Sequence, residues 1–219
     1  MQKITGFVAL LFALAFANVA LANKTTVEVD KVKDKSLLAS FSDSQLICDG
    51  INSSVDVHWN NSVVKQDGTK SDSSALIVDF RYTNSCTGDD ITMSGFLSPA
   101  NGNVADDLSH GHLDGVVTVS TDPDLGPPFL SATLTVNINL TANGPATKFH
   151  DKSKSKDGGV ITISDFSESA RPGVATGTVN GTIPLMAGPK FLNLINGPSL
   201  TAQLGKDANG TITITKKTK

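Results

Sequence analysis

The chain has 219 residues, 18 of them basic and 21 acidic, for a formal net charge of −3 at pH 7. With only two arginines, Arg81 and Arg171, and no contiguous basic stripe, it lacks the cation array that phosphate contacts require, which argues against nucleic acid as a partner. Its two cysteines form no Cys-x-x-Cys, which excludes a thioredoxin-type redox site.

Residues 1–22, MQKITGFVALLFALAFANVALA, join Lys3, an apolar run from Ile4 to about Ala17, and Ala20-Leu21-Ala22. Small residues thus stand at the two positions a signal peptidase reads, so a secretory leader with cleavage after Ala22 is expected. The run is shorter than the roughly 20 residues of a membrane span, and no basic cluster follows it. No later segment approaches that length, so no transmembrane segment is expected once the leader is removed. The mature chain, 23–219, is expected to be extracellular or periplasmic, and loss of Lys3 makes it one unit more acidic.

The mature chain opens with TTVEVDKV, read as a leading strand, then an irregular piece carrying Cys48. Short helical pieces are expected near 36–46 and 189–195; no longer segment has a capped 3.6-residue period. VDVHW places Val55, Val57 and Trp59 on one side of a strand, Asp56 and His58 on the other. ALIVDFRY alternates Leu76, Val78, Phe80 and Tyr82 with Ala75, Ile77, Asp79 and Arg81, as a central strand would. Cys86 follows. In an exported chain the lone pair Cys48 and Cys86 is read as a disulfide closing a loop of about 40 residues.

ITMSGFL, GVVTVS, ATLTVNINLT, GVITISDF, GVATGTVNGTI, SLTAQL and GTITIT continue the two-residue period. NGN, DPDLGPP, NGP, KDGG, RPG and DANG are read as the turns between them. KFHDKSKSKDGG, 148–159, reads as a solvated hairpin loop. IVDF and TMSGFL match ISDF and TVNGTI at one offset, which suggests an internal duplication of about 54–120 and 132–215. The expected class is all-β: one antiparallel β-sandwich domain, 23–219, jelly-roll-like in its variant form, built from two similar halves.

SHGHLDG, 109–115, carries the chemistry most visible in the sequence. His110, His112 and Asp114 share a strand face if the strand begins early, and two imidazoles two residues apart can chelate one metal. His58, Asp106 and Asp107 are possible further donors. The competing reading puts the histidines in a turn at Gly111, ahead of an alternation that begins at Leu113. Asp79 and Asp165, each before a Phe, could share acid and base roles across a cleft; a structural pair of Asp79 with Arg81 is the simpler reading. The apolar stretch around Leu185, Met186, Phe191, Leu192, Leu194 and Ile195 either caps one end of the sandwich or forms an interaction loop. Sequons stand at Asn23, Asn52, Asn60, Asn139, Asn180 and Asn209.

No Gly-x-Ser-x-Gly, phosphate-cradling Gly-x-x-x-x-Gly-Lys or His-Glu-x-x-His motif occurs. The functional expectation is therefore a secreted or periplasmic binding, adhesion or structural protein, without a cofactor, whose partner is a protein, a glycan or a surface. The alternative is a metal-binding protein or metal-dependent enzyme using His110 and His112 and a divalent metal.

Overall fold

The computed structural model describes residues 24–45, 50–66, 68–185, 188–193, 199 and 201–217. The strands are β1 (Lys24–Gln45), β2 (Ile51–Gln66), β3 (Thr69–Asn84), β4 (Asp89–Leu97), β5 (Asn101–Val104), β6 (His110–Ser120), β7 (Ser131–Ala142), β8 (Thr147–Asp157), β9 (Val160–Leu185), β10 (Gly188–Asn193) and β11 (Thr201–Lys217). Every pairing is antiparallel. The class is all-β, and no α-helix occurs among the described residues; a 3-10 turn spans Pro123–Leu125. The two expected helical pieces are strand instead: 36–45 belongs to β1, and 188–193 is β10.

Pairing closes a ring of eight strands in the order β1-β2-β3-β4-β6-β7-β9-β11, with β11 returning to β1. The two walls of this ring pack face to face, in the manner of a sandwich. Alternation along each strand explains the core. Leu37, Trp59, Leu76, Val78, Phe80, Tyr82, Leu113, Val117, Leu134, Ile138 and Leu204 point inward and are buried. Gly111 marks where the walls touch: a Cβ there would lie 3.1 Å from both Leu37 and Leu204 across the core. The weakest seam joins β4 to β6, where only Ser94↔Ser120 and Gly95↔Val119 pair.

Strands of 16 to 26 residues are far longer than the usual 5–6. Several extend beyond the ring. There β3, β2, β1, β11, β9 and β8 lie side by side as a single layer, exposed or half-buried on both faces. The end of the ring beneath this sheet is covered by residues 100–109. Ala100, Val104 and Leu108 are buried there. Lys35 donates to Val104 O at 2.8 Å and pairs with Asp106 at 2.8 Å, holding the cover to β1.

Long strands correct several turn readings. RPG lies inside β9, where the strand changes neighbour: β8 pairs as far as Ala170, and β7 takes over at Gly173. Pro172 stands at this change of partner, where neither β8 nor β7 pairs with it and its missing N–H costs no ladder bond to them, and its carbonyl accepts from Asn143 N at 3.1 Å. DANG lies inside β11, NGN inside β5, and KFHDKSKSKD is strand β8 rather than a loop. The aligned stretches of the proposed duplication also differ in setting. IVDF and TMSGFL occupy the antiparallel neighbours β3 and β4, whereas ISDF and TVNGTI lie along the one strand β9.

Candidate functional site

Residues directly opposite each other in antiparallel strands point to the same face. Applied across the single-layer sheet, this rule gathers lysines. Lys31, Lys33 and Lys35 alternate along β1, on the face continuous with buried Leu37. Lys65 of β2 stands opposite Lys31, and Lys70 of β3 stands opposite Lys65. Lys206 of β11 stands opposite Lys35. Through β9, the same face takes in Lys148, Lys152, Lys154 and Lys156 of β8. Among the described side chains, ten lysines from β1, β2, β3, β8 and β11 therefore share one face.

The other face has the opposite character. Glu28, Asp30 and Asp34 of β1 lie on it, with Asp207, Glu168 and Asp151 beside them on β11, β9 and β8. Asp34, Asp207 and Glu168 form one row across three strands. Burial, then the charges of Glu168 and Asp34, hold the Asp207 carboxyl above its ordinary value of 3.8.

Like charges directly opposite one another repel, so the lysine face costs stability unless anions neutralise it. Internal neutralisation is partial. Asp106 serves Lys35, and its backbone carbonyl accepts from Lys206. Asp165 lies 2.9 Å from His150 and 3.7 Å from Lys152, and Asp72 lies 3.9 Å from Lys70. The hydrogen bond from His150 lowers the Asp165 pKa from 3.8, against a desolvation effect, with the charges of His150 and Lys152 adding to it. Among the described residues, Lys31, Lys33, Lys65, Lys148, Lys154 and Lys156 have no carboxylate within 4.0 Å.

Small residues open a trough in this face. Ala208, Gly210 and Ser167 floor a cavity of about 280 Å³, walled by Lys31, Lys33, Lys152 and Asp165 and bordered by Ile163 and Ile212. Towards the free end of the sheet the face turns apolar, with Val27 and Val29, Ile212 and Ile214, and Ile161 and Ile163 side by side on β1, β11 and β9. Val27 is 51% exposed and Val29 37%.

The histidine stretch is arranged differently. Strand β6 begins at His110, so His110, His112 and Asp114 are on its outer face rather than in a turn. The turn reading is corrected by Gly111, which faces inward at the contact of the two walls. Each ring is held separately: His110 Nδ1 lies 2.9 Å from Ser109 Oγ, and His112 Nδ1 lies 2.8 Å from Asn139 Oδ1. His112 Nε2 is 3.4 Å from Asp114. Among the described residues no group of three or more His, Cys, Asp or Glu side chains is placed to hold a metal. His58 sits on β2, which does not adjoin β6. Asp107 is occupied by Ser109, whose hydrogen bonds lower its pKa from 3.8.

Asp79 and Asp165 do not face a common cleft. Asp79 is exposed on the outer face of β3, whereas Asp165 is on the lysine face. Arg81 pairs with Asp90 at 3.7 Å rather than with Asp79. Trp59 and Tyr82, which an exposed sugar platform would need, are 3% and 1% exposed in the core.

Of the apolar loop, Met186, Leu194 and Ile195 lie outside the described residues. Leu185 packs against the core at the end of β9, and Phe191 and Leu192 pair with it from β10. Cys48 also lies outside the described residues. Cys86 occupies the turn between β3 and β4, where its amide donates to Asn84 Oδ1 at 2.9 Å.

No protein-family model matches the chain, and no curated protein matches it in sequence. The lysine face escapes a linear reading because pairing, not sequence proximity, assembles it. The local signal is the alternation in KVKDK, 31–35, and KSKSK, 152–156, which places lysines on one side of a strand. The stripe held absent from the sequence is thus supplied by the sheet, and the argument against nucleic acid loses that premise.

Proposed function

We propose that the mature chain is an exported, non-enzymatic binding protein that engages an anionic partner through the lysine face. The observation that carries this reading is the segregation of charge: ten lysines on one face, a row of carboxylates on the other, in a chain of net negative charge. A surface evolved for solubility alone would intersperse the two signs. Six lysines have no carboxylate within 4.0 Å among the described residues, which leaves charge for a partner, and a trough among the lysines gives an anionic group a place to sit.

Export is supported by the leader-like residues 1–22, and a Cys48–Cys86 bridge accompanies it. Ser85 donates to Gly50 O through both its amide, at 3.3 Å, and its hydroxyl, at 3.1 Å. That contact sets Gly50, two residues after Cys48, against the residue before Cys86, which supports the pairing.

Retention on immobilised dextran sulfate tests the reading. The mature protein should bind at low ionic strength and elute as salt rises, because counterion screening weakens charge pairing. The triple variant Lys31→Gln, Lys33→Gln, Lys152→Gln should elute markedly earlier, while Arg81→Gln, at an exposed position on the outer face of β3, should not. Equal elution of all three proteins would overturn the reading.

A further inference from the structure

We infer that the anionic partner is a lipid bilayer surface, on which the single-layer sheet lies with its Val/Ile end entering the headgroup region. This rests on the lysine-face reading above and goes beyond it by naming the partner. The added observation is the apolar patch at the sheet's free end. Val27 is opposite Ile214, and Val29 opposite Ile212, while Ile214 and Ile212 are opposite Ile161 and Ile163. Six β-branched side chains therefore form a block two residues long and three strands wide.

Among the described residues nothing packs over this block: Val27 and Val29 are exposed and the four isoleucines half-buried. It stands on the face that becomes the buried core further along the same strands, yet β4, β6 and β7 do not extend over it. Lysines border it on two sides. Lys154 and Lys156 of β8 lie beside Ile163 and Ile161, and Lys31 follows Val29 towards the ring.

An apolar centre with a cationic border matches the depth profile of an anionic membrane surface. Branched side chains leave water in the acyl boundary, while lysine stems reach back to phosphate oxygens. A soluble polyanion has no use for the Val/Ile block. Single-stranded nucleic acid would be met by stacking aromatics and arginine, and no Phe, Tyr, Trp or Arg lies among the described side chains of the exposed part of this face. The protein lies on the bilayer rather than spanning it. Thr133, Thr135, Asn137, Asn139 and Thr141 face outward from the ring, where a membrane barrel would present an apolar band.

The experiment is co-sedimentation of the full mature chain with vesicles of phosphatidylcholine alone or mixed with phosphatidylglycerol, with dextran sulfate binding measured in parallel. The expected result is binding to the mixed vesicles and not to pure phosphatidylcholine. Lys31→Gln, Lys33→Gln, Lys152→Gln should weaken it about a hundredfold, the effect of three lysines near anionic lipid. Val27→Thr, Val29→Thr, Ile212→Thr, Ile214→Thr keeps strand-favouring shape and should weaken vesicle binding at least about tenfold while leaving dextran sulfate binding intact. Circular dichroism confirms that each variant is folded. In Val27→Trp, emission should shift to the blue on mixed vesicles.

Dextran sulfate binding without vesicle binding would overturn the membrane inference and leave the lysine-face reading standing. Failure to bind either would end both. Full vesicle binding by the threonine variant, or no spectral shift in Val27→Trp, would show adsorption without entry and overturn the inference. So would self-association of the parent protein that the threonine variant abolishes, since a second copy would then cover the patch.

Discussion

Leu108 shows how one residue seals the end of the ring. It has a positive φ of 57°, a left-handed conformation that a branched side chain adopts at a cost of about 1–2 kcal/mol. Its amide donates to Ala105 O at 2.9 Å, so the turn is tight, and its side chain is 1% exposed. Burial of the leucine offsets the strained backbone. Leu108→Ala should lower stability by about 2–4 kcal/mol in urea unfolding, through the cavity it leaves. A change under about 0.5 kcal/mol, the size of an ordinary surface substitution, would show that the cover does not seal the core.

Asp207 gives a pH-dependent case. Its carboxyl pKa is raised from 3.8 by burial and by Glu168 and Asp34. A raised carboxyl pKa means the ionised form is disfavoured in the folded state. The cost is fully present above the folded pKa, fades as pH falls from there towards the unfolded value of 3.8, and is gone well below it. Asp207→Asn should therefore raise the melting temperature at pH 7 and leave it unchanged well below pH 3.8. A lower melting temperature at pH 7 would mean that Asp207 makes a favourable contact outweighing the repulsion.

At the level of elements, the sequence was most legible where one face was buried. In β7 the inward residues Ala132, Leu134, Val136, Ile138 and Leu140 match the alternation residue for residue, as do Leu76, Val78, Phe80 and Tyr82 in β3. It was least legible where strands leave the core. There neither face is fully buried, the alternation becomes lysine against acid or hydroxyl, and KFHDKSKSKD looks like a loop although it is strand β8. Gly, Asn and Pro inside β9 and β11 mimicked turns for the same reason. The pairing partners that override those residues are distant in sequence. The His-x-His was visible, but its meaning depended on where β6 begins.

The β2–β3–β4 element carries the proposed disulfide. A bridge from Cys48 to Cys86 would close a loop of about 40 residues around the β2–β3 hairpin and, in the chain-entropy model, contribute roughly 3–4 kcal/mol. Reduction should lower the melting temperature, and maleimide labelling of the unfolded, unreduced protein should find no thiol. Two labelled thiols per chain would remove the bridge from the account.

The whole molecule combines a closed ring, which has no edges, with a single-layer sheet, which has them. Among the described strands β8 pairs only with β9, so its outer edge presents a row of backbone donors and acceptors to another chain. All of β8 is exposed, and Lys148, Lys152, Lys154 and Lys156 occupy four of its eleven positions. Charged side chains, lysine above all, are a recognised guard against edge-to-edge pairing. The lysines of β8 thus have a protective effect separate from any partner. Lys152→Thr, Lys154→Thr, Lys156→Thr should keep the strand, since threonine favours β structure, yet make the protein associate in solution. Net charge alone predicts the reverse. The chain already carries −3, and removing three cations makes it more negative, which ordinarily improves solubility. Light scattering and sedimentation velocity at equal concentration separate the two effects. Growth of oligomers in the variant, with strand content rising by circular dichroism, assigns the lysines to edge protection. A variant that stays monomeric would leave electrostatics towards a partner as the reason these positions are lysine.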